Sequence, residues 1–269
     1  MDAGHPGYGI TRIWIRPVCV SNGCCGTGDL QVFEIVASRA QYELQSKHSG
    51  GIMIQDEVRQ VSEYWDRIAP EFDTIYSGNK NPVARTLNKW LRRDMYERFD
   101  WVMRKAGDVA DKTVCDIGCG SGRFVSALAQ RGAHVTGLDF APTMLKLAGD
   151  LVERTGVSEK CTFVLSDVLD WKTDRQFDLV IAIGFWDYVA DPLARLQVIR
   201  SITRGRFLSA WPRAGTWRAA IRKGRLKAAG CPVYFWTRPQ IEEYLRLAGF
   251  SVESCETYGQ LYCVESKLL

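Results

Sequence analysis

Histidine is nearly missing from this chain of 269 residues; there are only three, at 5, 48 and 134. That leaves little room for a catalytic imidazole or for a zinc site built on one. Cysteine occurs nine times, but never with CxxC spacing. Cys19, Cys24 and Cys25 cluster with no histidine close by, so no metal site is expected. No apolar run approaches the roughly 20 residues that cross a bilayer. The opening MDAGHPGYGITRIWIRP lacks the basic and apolar regions of a secretory signal. Reduced thiols and a cytoplasmic location are the expectation. Acidic residues are missing from Pro192 to Ile241, a stretch with eleven Lys or Arg. Against a net charge of +4, the remainder therefore carries about −7. Such a run is either a solvated face or a contact for something anionic.

With 46% hydrophobic and 25% charged residues, the composition is that of a globular protein, with room for one α/β domain and an elaboration. Residues 1–52 hold glycine-rich turns, three cysteines and little periodicity. They are expected to be disordered or an extension, the alternative being a short strand pair over the core. Residues 53–108 read as lead-in helices. In the first, from Asp56 to Pro70, Val58, Val61, Tyr64, Trp65 and Ile68 recur at helical spacing; the second runs from Pro82 to near Lys105. Residues 109–269 then alternate. Strands are expected at Thr113–Ile117, His134–Leu138, Thr162–Leu165, Phe177–Ile183, Arg206–Ala210, Ser251–Thr257 and Leu261–Glu265. Helices are expected at Gly122–Arg131, Pro142–Thr155, Pro192–Thr203 and Arg238–Ala248. This predicts an α/β fold with a doubly wound, seven-stranded, mostly parallel sheet. The last two strands leave no space for a crossover helix, so they should form an antiparallel C-terminal hairpin. An insertion, 211–237, precedes the last helix.

The stretch Val114-Cys115-Asp116-Ile117-Gly118-Cys119-Gly120-Ser121-Gly122 reads as a buried strand running into a glycine turn that opens a helix. Three alternating glycines let a ligand lie against bare backbone. Asp139 closes the next strand about twenty residues on, where such folds hydrogen-bond a ribose. A nicotinamide fingerprint, GxGxxG, would need glycine where Arg123 stands.

With Asp116 before the turn and Asp139 after it, the pattern resembles the class I S-adenosylmethionine (SAM)-dependent methyltransferases, small-molecule branch, which includes quinone- and tetrapyrrole-pathway enzymes. The resemblance covers about Val58 to Leu268 and implies SAM as cofactor. It implies that Asp116, Gly118, Cys119, Gly120, Ser121 and Gly122 hold the amino-acid and ribose end, and that Asp139 takes the ribose hydroxyls. Phe140 and Met144 would lie near the adenine, and Asp167 and Val168 would receive its amino edge; Asp167 could equally be a turn cap. Ile183 and Gly184 end the strand beside the transferred methyl, and Tyr64 and Trp65 would cover the sulfonium or simply pack.

The resemblance also brings Asp187 and Tyr188 to the reaction, as candidates for a base. The acceptor pocket is expected from the lead-in helices and the insertion. The insertion's Trp211, Trp217, Tyr234, Phe235 and Trp236 favour a planar or greasy acceptor, and its arginines an anionic one. On one helix, Trp217, Ala220 and Ile221 would face away from Arg218, Arg222 and Arg225, an arrangement that also suits a membrane surface. The expected activity is methyl transfer to a small or lipid-like anionic acceptor, most simply at oxygen. An RNA acceptor is the alternative within the family, disfavoured by the lack of an amino-methylation motif. Outside it stand an NAD(P)-linked oxidoreductase and a non-catalytic binding protein.

Overall fold

The computed structural model describes residues 59–65, 67–68 and 93–269. The 1–52 segment and the start of the second lead-in helix, from Pro82, lie outside the described residues. Helix α1 comprises residues 59–65 and 67–68. It is followed by α2 (Arg93–Ala106), β1 (Thr113–Ile117), α3 (Arg123–Gln130), β2 (His134–Asp139), α4 (Pro142–Arg154), β3 (Cys161–Leu165) and β4 (Phe177–Ile183). A 3₁₀ turn, Trp186–Tyr188, precedes α5 (Pro192–Ile202), β5 (Thr203–Pro212), α6 (Trp217–Ala228), α7 (Arg238–Leu247), β6 (Phe250–Tyr258) and β7 (Leu261–Leu268).

The seven strands form one sheet in the order β3-β2-β1-β4-β5-β7-β6. β1 to β5 are parallel, while β7 runs antiparallel to both β5 and β6. The expected doubly wound sheet and its terminal hairpin are both present. The reversal of strand order falls between β1 and β4. That is the switch point at which open α/β sheets bind ligands beyond the strands' carboxyl ends.

Alternation along the strands sends side chains into two cores. Val114, Leu179 and Ile181 pack on one face with Trp101, Val102, Val125 and Leu128. Cys115, Ile117, Val180 and Ala182 pack on the other with Leu196, Ile199, Phe207 and Ile241. Helix starts follow local chemistry. Pro142 and Pro192 occupy first-turn positions, and the Asp191 side chain accepts from the Leu193 amide at 3.1 Å. Thr216 caps α6 by accepting from the Ala219 amide at 3.1 Å, while Gln240 accepts from the Thr237 amide at 3.0 Å.

The insertion differs from expectation. Trp211 and Trp236 are buried, with Trp211 stacked on Trp186 at 4.0 Å and 9°. They extend the core where β5 runs past β4 and are not available to an acceptor. On α6, Trp217 and Ile221 point outward, 73% and 62% exposed, whereas Arg222 turns inward to Asp187.

Candidate active site

A cleft of about 1040 Å³, counting its open mouth, lies at the carboxyl ends of β1, β2 and β4. Its floor is the glycine turn, and the three glycines there do different work. A Cβ on Gly120 would meet nothing within 4 Å, so this residue leaves backbone bare toward the cleft. Gly122 has φ of 78°, and a Cβ there would stand 2.7 Å from the Ala148 Cβ. Its role is the close packing of α3 on α4, and it is not part of the cleft wall. Gly118 backs onto the Phe185 ring. Gly137, in β2, plays a part that went unread in the sequence. A Cβ there would come within 2.9 Å of the Cys119 sulfur, so its bareness is what seats the turn.

Asp139 sits in the cleft wall. Its Oδ2 accepts from the Gly120 amide at 2.8 Å and its Oδ1 from the Ala141 amide at 2.9 Å. The carboxylate thus ties the turn to the start of α4. Asp116 lies behind the turn, 1% exposed, and its Oδ2 has no hydrogen-bond partner among the described residues. Burial, reinforced by the Asp139 charge, pushes its pKa up to about 8.

Cys119, Ser121, Phe140, Met144, Ile183, Gly184 and Tyr188 also line the cleft, as does Asp167. The Asp167 carboxylate accepts from the Leu169 amide at 2.9 Å and lies 3.7 Å from the Arg195 guanidinium. Asp167 thus caps the turn and also lines the cleft. Val168 is in the core beneath. Trp65 reaches the wall, whereas Tyr64 packs edge-on against it at 5.7 Å, in a cluster with Leu226 and Cys231. Burial raises the Tyr64 pKa.

The two candidates for a base are not equivalent. Asp187 is buried and absent from the wall, its Oδ1 paired with Arg222. A carboxylate held in this way cannot reach an acceptor proton, which corrects the expectation that it faces the reaction. Tyr188 does line the cleft. Burial, followed by the Asp187 charge, raises its hydroxyl pKa well beyond the ordinary phenol value, so it is a donor at neutral pH. Removing Arg222 would leave Asp187 as a buried, unpaired charge. Arg222→Ala is expected to cost about 1–3 kcal/mol, discounted for the partly exposed guanidinium. A thermal melt should show a drop of several degrees, partly restored by adding Asp187→Asn.

Residues unseen in the sequence complete the wall: Arg98 from α2, Arg123, Phe124, Val189 and Arg195. None of residues 211–237 lines it. Of the lead-in segment only Val61, Trp65 and Arg98 do so among the described residues.

A sheet of this order with a reversed β7, a glycine turn at the switch point and an acid closing β2 defines a Rossmann-like methyltransferase domain. A family model described as "Methyltransferase domain" matches residues 108–247, more than half of the chain, and the chain belongs to that family. It is 33% identical over 144 residues to a ubiquinone biosynthesis O-methyltransferase of Aeromonas salmonicida, covering 54% of this chain and 53% of that protein. The corresponding enzyme of Pseudomonas paraeruginosa is 36% identical over 107 residues, or 40% and 46% of the two chains. The chain thus spans about half the length of the curated relatives it matches. Among solved structures, magnesium protoporphyrin IX methyltransferase of Synechocystis PCC 6803 with bound SAH (S-adenosylhomocysteine) superposes with a TM-score of 0.64. Its identity is 20%, over 79% of this chain and all of the other.

Proposed function

We propose that this protein is a SAM-dependent methyltransferase acting at oxygen on a small or lipid-like, anionic acceptor. The observation that carries the reading is the bare Gly120 turn between Asp139, in the cleft wall, and Asp116, whose buried Oδ2 has no hydrogen-bond partner among the described residues. An orphaned buried acceptor beneath an open backbone turn suits a ligand rich in donors. The ribose hydroxyls and ammonium of SAM are such donors.

In this reading Asp139 holds the ribose, Asp116 and residues 118–121 hold the amino-acid end, and Phe140, Met144 and Asp167 surround the adenine. Bound SAM supplies an activated methyl on a sulfonium. The protein's share is then alignment and exclusion of water. Ile183, Gly184 and Phe185 border the acceptor side. Tyr188 donates a hydrogen bond to the acceptor and does not take its proton, which suits an acceptor already ionised. Asp187 acts only by positioning Tyr188 and α6 through Arg222. The relatives named above methylate at oxygen, which supports the choice of atom. No helix among the described residues is long and apolar enough to cross a membrane. We place the enzyme in the cytoplasm, with a peripheral membrane contact through the basic face of α6 if the acceptor is lipid-like.

The test is incubation with methyl-tritiated SAM and cell extract, followed by partition into organic, aqueous and RNase-sensitive fractions. Label in the organic or small-molecule fraction is expected. RNase-sensitive label would favour the RNA reading, in which the basic 192–241 stretch tracks phosphates. No transfer to any fraction would overturn the assignment.

A further inference from the structure

We infer that the outer face of α6 docks the protein on an anionic lipid bilayer, with an apolar ridge among the acyl chains and flanking cations on the headgroups. The inference makes specific the peripheral contact proposed above and rests on that reading, but not on the proposed cofactor.

The two faces of α6 do different work. The inward face carries Ala219 and Leu226, both buried, and Arg222, which pairs with Asp187. Leu226 packs in one cluster with Val61, Trp65 and Tyr188, all of which line the cleft. On the outward face Trp217, Ala220, Ile221, Gly224 and Ala228 are all exposed. Their spacing, i, i+3, i+4, i+7 and i+11, lays them along one stripe of the helix. Among the described residues Trp217 and Ile221 are, with the C-terminal Leu269, the three most exposed large hydrophobic side chains. A ridge of this kind on a folded protein marks a contact surface.

The charges of α6 bracket that ridge. At about 100° per residue, Arg218 and Arg225 fall on one flank and Lys223 and Lys227 on the other. The helix has no acid of its own, and Lys223 and Lys227, one turn apart, repel each other. An anionic surface relieves that repulsion. A helix that tracked a nucleic-acid backbone would hold its cations at the centre of the contact. Here the centre is apolar and the cations form the rim, which is the layout of a helix lying in a membrane interface. Tryptophan favours the headgroup level of such an interface. At 12 residues α6 is too short to cross a bilayer, so it lies flat. The bilayer then stands about one helix diameter, roughly 10–12 Å, from the cleft residues behind Leu226. A lipid-soluble acceptor is thereby held beside the site.

The experiment is co-sedimentation with vesicles of phosphatidylcholine alone, or of phosphatidylcholine with one-third phosphatidylglycerol. It compares the full-length wild type with a ridge variant, Trp217→Ser with Ile221→Ser, and a flank variant, Lys223→Gln with Lys227→Gln. Wild type should bind the anionic vesicles and bind the neutral ones far more weakly. The ridge variant should lose about tenfold or more in affinity for the anionic vesicles. The flank variant should lose about 25-fold, roughly fivefold for each cation. Brominated acyl chains should quench the tryptophan emission of bound wild type, and Trp217→Phe should abolish that quenching. All variants should melt with wild type, because the altered side chains face solvent. The inference is overturned if wild type does not sediment with anionic vesicles, if the ridge variant binds them as tightly as wild type, or if bound wild type is not quenched. It is overturned equally if a structured RNA binds more tightly than the vesicles and ignores the ridge, or if wild type dimerises and the ridge variant does not. SAH titration of the same proteins reads the cofactor separately. Wild type that docks on vesicles but binds no SAH sinks the cofactor reading and leaves the docking intact.

Discussion

Asp139→Ala should weaken SAH binding by on the order of a hundredfold or more. The carboxylate stands in the cleft wall, and each charge-assisted hydrogen bond to a ligand is worth about 1.5–3 kcal/mol. Losing it also frees the Gly120 and Ala141 amides, now held at 2.8 and 2.9 Å, so the turn slackens as the ligand contact goes. Asp139→Asn keeps the shape but offers one acceptor oxygen instead of two, and should fall between wild type and Asp139→Ala. Calorimetric titration with SAH measures both. Equal affinity in all three proteins would remove Asp139 from the cofactor site.

Asp116→Asn should have opposite effects on stability and on binding. The folded-state pKa of Asp116 is about 8 against an ordinary 3.8, because burial and the Asp139 charge disfavour its ionised form. The folded state therefore binds a proton that the unfolded state releases between about pH 4 and pH 8. Over that window the stability of the ligand-free protein falls as pH rises, by up to several kcal/mol from this group. Asparagine removes the penalty. The variant should melt roughly 5–15 °C higher at pH 8, with the gap closing toward pH 4 as the unfolded wild type takes up the proton that its folded state already holds.

SAH binding should respond in the other direction. An ammonium or hydroxyl donating to Asp116 favours the carboxylate, so wild-type affinity should rise from pH 6 to pH 8 with release of a proton. The variant should bind weakly, with no such slope. Melts and titrations at three pH values check both effects. A wild-type affinity that is flat with pH would show that Asp116 meets no ligand donor.

The glycine turn and the acids around it were legible because their determinants are local. The alternation of 113–117 and 177–183 is read within a single strand, and the positive φ of Gly118, Gly120 and Gly122 is demanded by the turn that they themselves make. Asp139 is marked by its distance from that turn. The terminal hairpin follows from the short gap between Tyr258 and Leu261. What the insertion covers was not legible. Its tryptophans read equally well as a pocket or as a core, and the difference is whether β5 runs past β4 and needs cover. Asp187 follows the strand that ends at the cleft, yet its side chain points toward Arg222, thirty-five residues away.

What the sequence by itself determined is the frame: the doubly wound sheet with its reversed last strand, the glycine turn, and the acids before and after it. Backbone sterics and the two-residue period of a strand act over a few positions, and a short motif expresses them in full. Only the tertiary structure decided which cations enter the cleft. Arg98, Arg123 and Arg195 sit on three different helices, and no local spacing distinguishes them from the other basic residues. They become parts of the site because packing sets each helix's rotation, through Trp101 and Glu256 for α2 and through Gly122 against Ala148 for α3 on α4. Rotation of a docked helix is a property of the surface it meets, and no short stretch of sequence records it.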